Sequence, residues 1–355
     1  MPTSTFDSPA PARARAAALV LGALLVLPAL LARAQESPAP SARETIRAEA
    51  RALRPLAESA LGRAFLDASA ELPPMVAREV WFDRVRRSAL SPAAYDSLVE
   101  SERVGYRKID VTEDWYYRLY SSPLAYLRAL DFASEAGMTS ADGARIADFG
   151  FGNMGQVRAL ASMGAHVTGI EIGGMLDAMY RLPDDRGPFA REKSAGGGKP
   201  GHVQLVFGQY PSNEAITKQV GTGYDLFMSK NTLKLGYIHP ERETDPRNLV
   251  HLGVDDSTYV ARVHDALEPG GLFLIYNLYG QQSLPGESYK PWATGACPFD
   301  RGLMERAGFE IVKWNGDDSN KAREMGRALG WNANMDDSTF VKEFNAMVTV
   351  ARRAK

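Results

Sequence analysis

The chain has 355 residues and a formal net charge of −2, and hydrophobic and charged residues make up 45% and 24% of it. These ordinary values exclude a disordered chain, a collagen-like repeat and a polytopic membrane protein. The near-neutral charge gives no electrostatic support for a nucleic-acid partner, so none is expected. A single cysteine, Cys297, excludes an intramolecular disulfide framework, and with only five histidines no metal site is expected either.

The first segment, residues 1–34, has the organisation of an export signal. Two arginines precede an apolar run from Ala16 to Leu31, which is long enough for a signal-peptide core and short for a membrane span. Ala32-Arg33-Ala34 then offers the small-x-small pattern that signal peptidases cleave. The sequence therefore predicts cleavage before Gln35, a periplasmic or secreted product and no stable membrane span after cleavage. An uncleaved anchor helix is the alternative.

Residues 35–43 are predicted to be a flexible leader, and residues 44–137 a helical N-terminal region, because apolar residues recur there at helical spacing. The region carries an aromatic cluster made of Tyr106, Trp115, Tyr116, Tyr117, Tyr120 and Tyr126. Core packing is the expected role of most of these rings. The alternative is a lid over a ligand, for which Tyr117 and Tyr120 are the best candidates.

Residues 138–355 show the alternating pattern of an α/β domain. A buried strand at residues 144–149 leads through the glycine-rich turn Gly150-Phe151-Gly152-Asn153-Met154-Gly155 into a helix and a second strand, which ends at Glu171. Glycines let the backbone approach a ligand, and an acid at the end of the second strand can accept hydrogen bonds from ribose hydroxyls. The glycine pattern alone also fits dinucleotide binding, so an NAD-dependent oxidoreductase stays open as an alternative.

Five further strands are predicted, at residues 203–207, 224–229, 272–277, 309–314 and 344–352. The alternation predicts a Rossmann-like, seven-stranded, mostly parallel sheet with helices on both faces, preceded by the helical N-terminal region. Residues 183–201 are rich in glycine and charge, with no strand leading into them and no helix following. They are predicted to be a surface excursion.

Residues 120–352 resemble the class I S-adenosylmethionine (SAM)-dependent methyltransferases. The resemblance lies in the order of the Asp148-x-Gly150-x-Gly152 loop, the Thr168-Gly169-Ile170-Glu171 strand end, the strand at residues 224–229 and the Glu268-Pro269-Gly270-Gly271 turn. The last two strands also match the closing hairpin of this family. The acid before the first glycine and the Pro-Gly-Gly turn favour this family over a nicotinamide enzyme.

The resemblance implies SAM as the cofactor and methyl transfer as the reaction. The residues that it implies for the cofactor are Asp148, Gly150, Phe151, Gly152, Glu171, Ile172, Gly208, Gln209 and Ser229. Two positions depart from the pattern, since many members have a glycine where Met154 stands and an acid where Gln209 stands. The catalytic candidates, which follow sheet strands, are Lys230, Asn231, His239 and Tyr279, each with an ordinary loop residue as the alternative.

A small-molecule or lipid-like acceptor is the expected partner, because aromatic residues 115–120 could cover a pocket at the carboxyl ends of the strands. Export leaves a second alternative, since SAM is made inside cells. In that alternative the chain is an exported SAM- or nucleotide-binding protein that uses a methyltransferase scaffold without turnover.

Overall fold

The computed structural model describes residues 40–189 and 200–355. Outside the described residues lie the predicted signal segment, residues 35–39 of the predicted leader and residues 190–199 of the excursion predicted at 183–201. In the described ranges, none of the helices combines the length and the apolar character that crossing a bilayer requires.

The N-terminal region contains helices and a small antiparallel sheet. Its elements are α1 (Ala42–Leu53), α2 (Ala60–Ala70), β1 (Glu79–Asp83), β2 (Ser88–Leu90), α3 (Pro92–Asp96), α4 (Glu100–Arg103), β3 (Arg107–Asp110), α5 (Glu113–Arg118) and α6 (Leu127–Glu135). The prediction of a helical region is wrong at residues 79–83, 88–90 and 107–110, where β1 pairs with β2 on one side and β3 on the other. Val80, Trp81 and Phe82 explain the difference, because β-branched and aromatic residues favour a pleated, half-buried strand.

The α/β part follows from residue 145. Its elements are β4 (Arg145–Phe149), α7 (Met154–Ser162), β5 (His166–Glu171), α8 (Gly174–Met179), β6 (Gly187–Phe189), β7 (Gly201–Phe207), α9 (Glu214–Val220), β8 (Tyr224–Lys230), α10 (Leu235–Ile238), α11 (Asp256–Ala266), β9 (Leu267–Tyr279), α12 (Arg301–Arg306), β10 (Phe309–Asp317), α13 (Ser319–Ala328), α14 (Asp337–Glu343) and β11 (Asn345–Arg353).

The main sheet has the strand order β10-β11-β9-β8-β4-β5-β7-β6. Strands β7, β5, β4, β8 and β9 run parallel, and β11 is inserted antiparallel between β9 and β10. The predicted Rossmann-like, mostly parallel α/β fold is confirmed. The predicted count of seven strands is wrong, because β6 pairs antiparallel with β7 at the edge of the sheet. Three residues are too few to show a strand pattern in the sequence.

Two hydrophobic clusters form the core. One contains α1, α2 and α6 together with apolar residues of the sheet, and the other contains Phe149, Phe227, Phe273 and Cys297. Burial raises the pKa of the Cys297 thiol to about 12.

A buried charged cluster joins α6 to the chain that follows β10. The Arg128 guanidinium donates to both carboxylate oxygens of Asp318, at 2.8 and 3.0 Å, and to Asp131 at 3.1 Å. Asp131 also accepts hydrogen bonds from the Ser59 backbone and hydroxyl, and Asp318 accepts one from the Tyr276 hydroxyl at 2.9 Å. Each of these buried charges therefore has a close partner of opposite sign.

The direction of strand succession reverses between β4 and β8. From β4 the chain builds the sheet toward β5 and β7, and from β8 it builds the other half toward β9. In open α/β sheets, ligands bind outside the carboxyl ends of the strands at such a reversal.

Candidate functional site

A cavity of about 400 Å³ opens at the carboxyl ends of β4, β5 and β8. It is lined by Tyr120, Ser121, Ser122, Tyr126, Gly150, Phe151, Gly152, Asn153, Glu171, Lys230, Asn231, Thr232, Lys234 and Tyr237. The volume falls within the range of small-molecule sites. The cavity therefore lies where the direction of strand succession reverses.

The glycine loop between β4 and α7 forms one side of the cavity. Gly150 and Gly152 have φ angles of 76° and 69°, in the left-handed region that favours glycine. A Cβ atom on Gly150 would overlap the Thr232 side chain, and one on Gly152 would lie 2.9 Å from Cδ2 of Tyr120. The two glycines therefore give room to neighbouring side chains as well as shaping the cavity.

Asp148 lies behind the loop and is fully buried. Its two carboxylate oxygens accept hydrogen bonds from the Tyr126 hydroxyl and from Nε2 of Gln156, both at 3.1 Å. Burial raises the pKa of Asp148 to about 7, although these two hydrogen bonds and the charge of Lys230 counteract it. Asp148 thus supports the loop and stays near the boundary between its neutral and charged forms at neutral pH.

Glu171 ends β5 and faces the cavity. Its Oε1 accepts a hydrogen bond from the Gly173 N–H at 3.0 Å. Burial raises the pKa of this carboxyl, and the backbone N–H groups of Gly173 and Ile172 oppose the rise. A carboxylate accepts about four hydrogen bonds, so Glu171 keeps acceptor capacity for a ligand.

Lys230 ends β8 on the other side of the glycine loop. Its Nζ lies 5.4 Å from the ring centroid of Tyr126 and, among the described residues, forms no hydrogen bond and no ion pair. Burial lowers the pKa of Lys230 to about 8, and the charge of Asp148 opposes the shift. An ammonium group in this position can bind an anionic ligand group.

Lys234 also lines the cavity but is bound to the protein. Its Nζ donates to the backbone oxygens of Leu278 and Trp292, the second at 3.3 Å. Burial lowers the pKa of Lys234 to about 7, with a contribution from the charge of Lys230. The side chain therefore fixes the loop after β8 rather than pointing an unpaired group at a ligand.

Asn231 lines the cavity, and its amide oxygen is used within the protein. It has a φ angle of 65°, its N–H donates to the Tyr276 oxygen at 3.0 Å, and its Oδ1 accepts from the Leu278 N–H at 2.7 Å. These bonds join the end of β8 to β9.

The remaining predicted site residues do not line this cavity. Ser229 is fully buried beneath it, where its Oγ accepts from the Leu233 N–H. Tyr279 is the last residue of β9, and its ring packs against Gly295. His239 binds Asp256 at 2.9 Å in a separate surface cavity.

Three more of the residues implied for the cofactor, namely Gly208, Gln209 and Ile172, are not among those that line the cavity. Gly208 packs on Ile216, and Nε2 of Gln209 donates to the backbone oxygen of His251. Ile172 packs against the second hydrophobic cluster. The structure thus brings Gly150, Phe151, Gly152 and Glu171 together with Lys230 and Asn231 around one cavity, and Gly208, Gln209 and Ile172 lie outside it.

Tyr126, Gln156 and Lys234 contribute to the site without having been predicted for it. Tyr126 belongs to the aromatic cluster that was expected to be core, and its ring is indeed buried while its hydroxyl reaches Asp148. Lys234 could have been predicted for the site, because it lies four residues after Lys230 in the same short loop.

Among the described residues, no group of three or more His, Cys, Asp or Glu side chains could hold a metal ion.

No protein-family model and no curated protein matches the chain. Solved structures to which it is similar include phosphoethanolamine N-methyltransferase 2 from Haemonchus contortus, in complex with phosphomonomethylethanolamine and S-adenosylhomocysteine, at 13% identity and a TM-score of 0.39, covering 79% of this chain and 69% of that one. An S-adenosylmethionine-dependent methyltransferase from Mesorhizobium loti is 18% identical, with a TM-score of 0.34 and coverages of 64% and 98%. The [4+2]-cyclase SpnF is 13% identical, with a TM-score of 0.35 and coverages of 89% and 97%. Likenesses this distant say nothing about the reaction of this chain.

Proposed function

We propose that the protein binds SAM in the cavity at the carboxyl ends of β4, β5 and β8 and transfers its methyl group to a small-molecule or lipid-like acceptor. One observation carries the proposal. Glu171 at the end of β5 and Lys230 at the end of β8 line the same cavity, and the glycine loop of the intervening strand β4 lies between them.

The side chains of the cavity suit the polar groups of SAM. The Glu171 carboxylate can accept hydrogen bonds from the two ribose hydroxyls. The Lys230 ammonium and the N–H groups at the start of α7 can bind the methionine carboxylate. When bound, SAM supplies an electrophilic methyl group, and the protein then has to hold the acceptor in line with it. A base is required only for an acceptor that loses a proton.

The strand order favours this function over the NAD-dependent oxidoreductase. Dinucleotide-binding folds have the order 3-2-1-4-5-6. Here the antiparallel strand β11 lies between β9 and β10, as in the closing hairpin that the resemblance implies.

A second candidate is a SAM- or nucleotide-binding protein without turnover. The packing of Thr232 on Gly150 and of Tyr120 on Gly152 favours it, because these side chains take space beside the glycine loop that an acceptor would need.

Calorimetric titration of the purified protein with SAM, S-adenosylhomocysteine and NAD tests the cofactor. SAM or its demethylated product should bind and NAD should not. Glu171→Gln should weaken SAM binding by about 1–3 kcal/mol, since hydrogen-bonding groups of the ligand lose a charged partner. Glu243→Gln, at an exposed position away from the cavity, is the matched control. Saturable binding of NAD without any response to SAM would refute the proposed cofactor.

Release of S-adenosylhomocysteine over a panel of small-molecule and lipid acceptors separates the two candidates. An enzyme releases it only with a matching acceptor. Tight SAM binding with no release on any acceptor supports the protein without turnover.

We also propose that the protein is exported and that residues 1–34 are removed before Gln35. The support is the pattern of positive charge, apolar run and small-x-small site in the sequence. N-terminal sequencing of the native protein tests it, and an intact Met1 on a cytosolic protein contradicts it.

A further inference from the structure

A second cavity, of about 1060 Å³, lies between the small N-terminal sheet and the helices α5 and α8. Its apolar lining consists of Phe82, Ile109, Trp115, Leu119 and Met175. The rings of Phe82 and Trp115 meet edge to face, with centroids 5.7 Å apart. The cavity is large enough for a complete small ligand, and its lining favours an apolar one.

The mouth of this cavity carries positive charge. The cavity is lined by three guanidinium groups, those of Arg84, Arg86 and Arg107, and by a single carboxylate, that of Asp83. Asp83 is already paired, because it accepts from Arg86 at 3.0 Å and from the Val85 N–H at 2.8 Å. Arg84 and Arg107 are exposed, and within the part of the chain that the structure describes their guanidinium groups form no hydrogen bond and no ion pair.

Apolar side chains accompany the arginines at the mouth. Val85 and Val104 line the cavity and are 82% and 69% exposed. Unpaired guanidinium groups bind carboxylates and phosphates by charge-assisted hydrogen bonds, and the apolar interior offers no partner for a polar group. A complementary ligand therefore has an anionic head and an apolar tail.

We propose that this cavity binds a single-chain anionic amphiphile, with the tail among Phe82, Trp115 and Met175 and the head at Arg84 and Arg107. A concave site of this volume has room for a whole tail, which distinguishes it from a surface that rests on a bilayer or on another protein. The proposal goes beyond methyl transfer, and the binding can be measured without SAM.

Two chain segments contribute residues to both cavities. Leu119 lines the apolar cavity and Tyr120 lines the cavity at the glycine loop. On another segment, Met175 follows Glu171 by four residues. A ligand in the apolar cavity would thus contact segments that also line the proposed SAM site.

Calorimetric titration with decanoate, octanoate, decan-1-ol and decyltrimethylammonium, each as a monomer in solution, tests the proposal. Decanoate should bind, and octanoate should bind about 15-fold more weakly, because each buried methylene contributes about a factor of four. Decan-1-ol should bind more weakly than decanoate, and the cationic probe should not bind.

The variant Arg84→Gln/Arg107→Gln should weaken decanoate binding by about tenfold or more and leave decan-1-ol binding unchanged. Both positions are exposed, so the variant should fold like the wild type. Arg51→Gln, at an exposed position on α1 away from the cavity, is the matched control and should change neither affinity. Met175→Glu should abolish decanoate binding by adding a negative charge to the apolar lining.

Three results would overturn the proposal. One is the absence of decanoate binding. Another is equal binding of decanoate and decan-1-ol that does not depend on the two arginines, which would show an apolar cavity with no preference for anions. A third is a dimer in sedimentation that binds none of the probes and dissociates in Met175→Glu, because this face would then be an interface between copies of the chain.

Discussion

Two groups of buried charges in this protein differ in whether each charge has a partner. In the cluster of Arg128, Asp131 and Asp318, the guanidinium binds both carboxylates at 2.8–3.1 Å. At the glycine-loop cavity, Asp148 and Lys230 influence each other's pKa, but among the described residues Lys230 forms no ion pair with any carboxylate.

The difference separates structure from function on physical grounds. Taking a charge out of water costs free energy, and a close counter-charge with satisfied hydrogen bonds offsets that cost within the fold. Charges that stay incompletely paired beside a cavity leave part of the cost to be offset by a ligand, which is why perturbed groups in clefts indicate functional sites. On this basis we infer that the Arg128 cluster stabilises the fold, and we propose that Lys230 takes part in ligand binding.

The largest effect is expected in the paired cluster. Arg128→Met leaves Asp131 and Asp318 buried without their cation, so the free energy of unfolding should fall by about 3–5 kcal/mol. Guanidinium denaturation followed by circular dichroism measures it. Lys321→Met removes an exposed cation near the same cluster and should leave the denaturation midpoint unchanged. A loss below 1 kcal/mol in Arg128→Met would show that the cluster does not stabilise the fold.

The next effect concerns the pH dependence of stability at Asp148. Its pKa is about 7 in the folded protein and 3.8 in the reference state, so the folded state binds more protons between these values. Wild-type stability should therefore fall, through this group, as the pH rises from 4 to 7. In Asp148→Asn the loss disappears, and the variant should gain up to about 4 kcal/mol relative to the wild type between pH 4 and pH 8. Denaturation curves at unit steps of pH measure it, and parallel profiles would contradict it.

A smaller effect is expected on ligand binding at Lys230. With a pKa of about 8, this group loses its charge as the pH rises through that value, so SAM affinity should fall above pH 8. Lys230→Gln should bind SAM about tenfold more weakly than the wild type at pH 7, through loss of a charge-assisted hydrogen bond. The difference between the two proteins should shrink at pH 9.

Lys218→Gln, at an exposed position on α9, should match the wild type at every pH. Calorimetry at pH 7, 8 and 9 provides the measurement. An affinity ratio between wild type and Lys230→Gln that does not change with pH would remove Lys230 from the site.

The smallest effect separates two tyrosines of the same cavity. Tyr126→Phe removes the hydroxyl that donates to Asp148 and should cost about 1 kcal/mol of unfolding free energy. Tyr120→Phe removes a hydroxyl from an exposed ring at the same cavity, and the change should stay within 0.5 kcal/mol. Equal losses in the two variants would contradict the assignment of Tyr126 to the support of Asp148.

The sequence predicts those parts of the fold that carry a long periodic pattern. Most residues of strands β4, β5, β8 and β9 are buried, and their apolar residues alternate with helical segments along the chain, so their class and order were predictable. Strand β6 has three residues and β2 has three, too short for any period to show. Their formation depends on pairing with a neighbour that is distant in sequence or follows a turn.

The same division holds for the site. Glu171 and Lys230 were predictable because the ends of parallel strands meet at one edge of the sheet. The bond between Tyr126 and Asp148 spans 22 positions and depends on how α6 packs on the sheet, which no local pattern reveals. His239 and Tyr279 were candidates on the same ground, but neither lines the cavity, because tertiary contacts hold them elsewhere: His239 pairs with Asp256, and the Tyr279 ring packs on Gly295.

The burial of Cys297 has a practical consequence. Thiol–disulfide exchange requires a thiolate, and with a pKa of about 12 and a side chain enclosed in the core, this thiol provides almost none at neutral pH. The chain has no second cysteine. Disulfide exchange should therefore affect neither the fold nor the association state of the protein, and thiol reductants are not needed in its storage or assay.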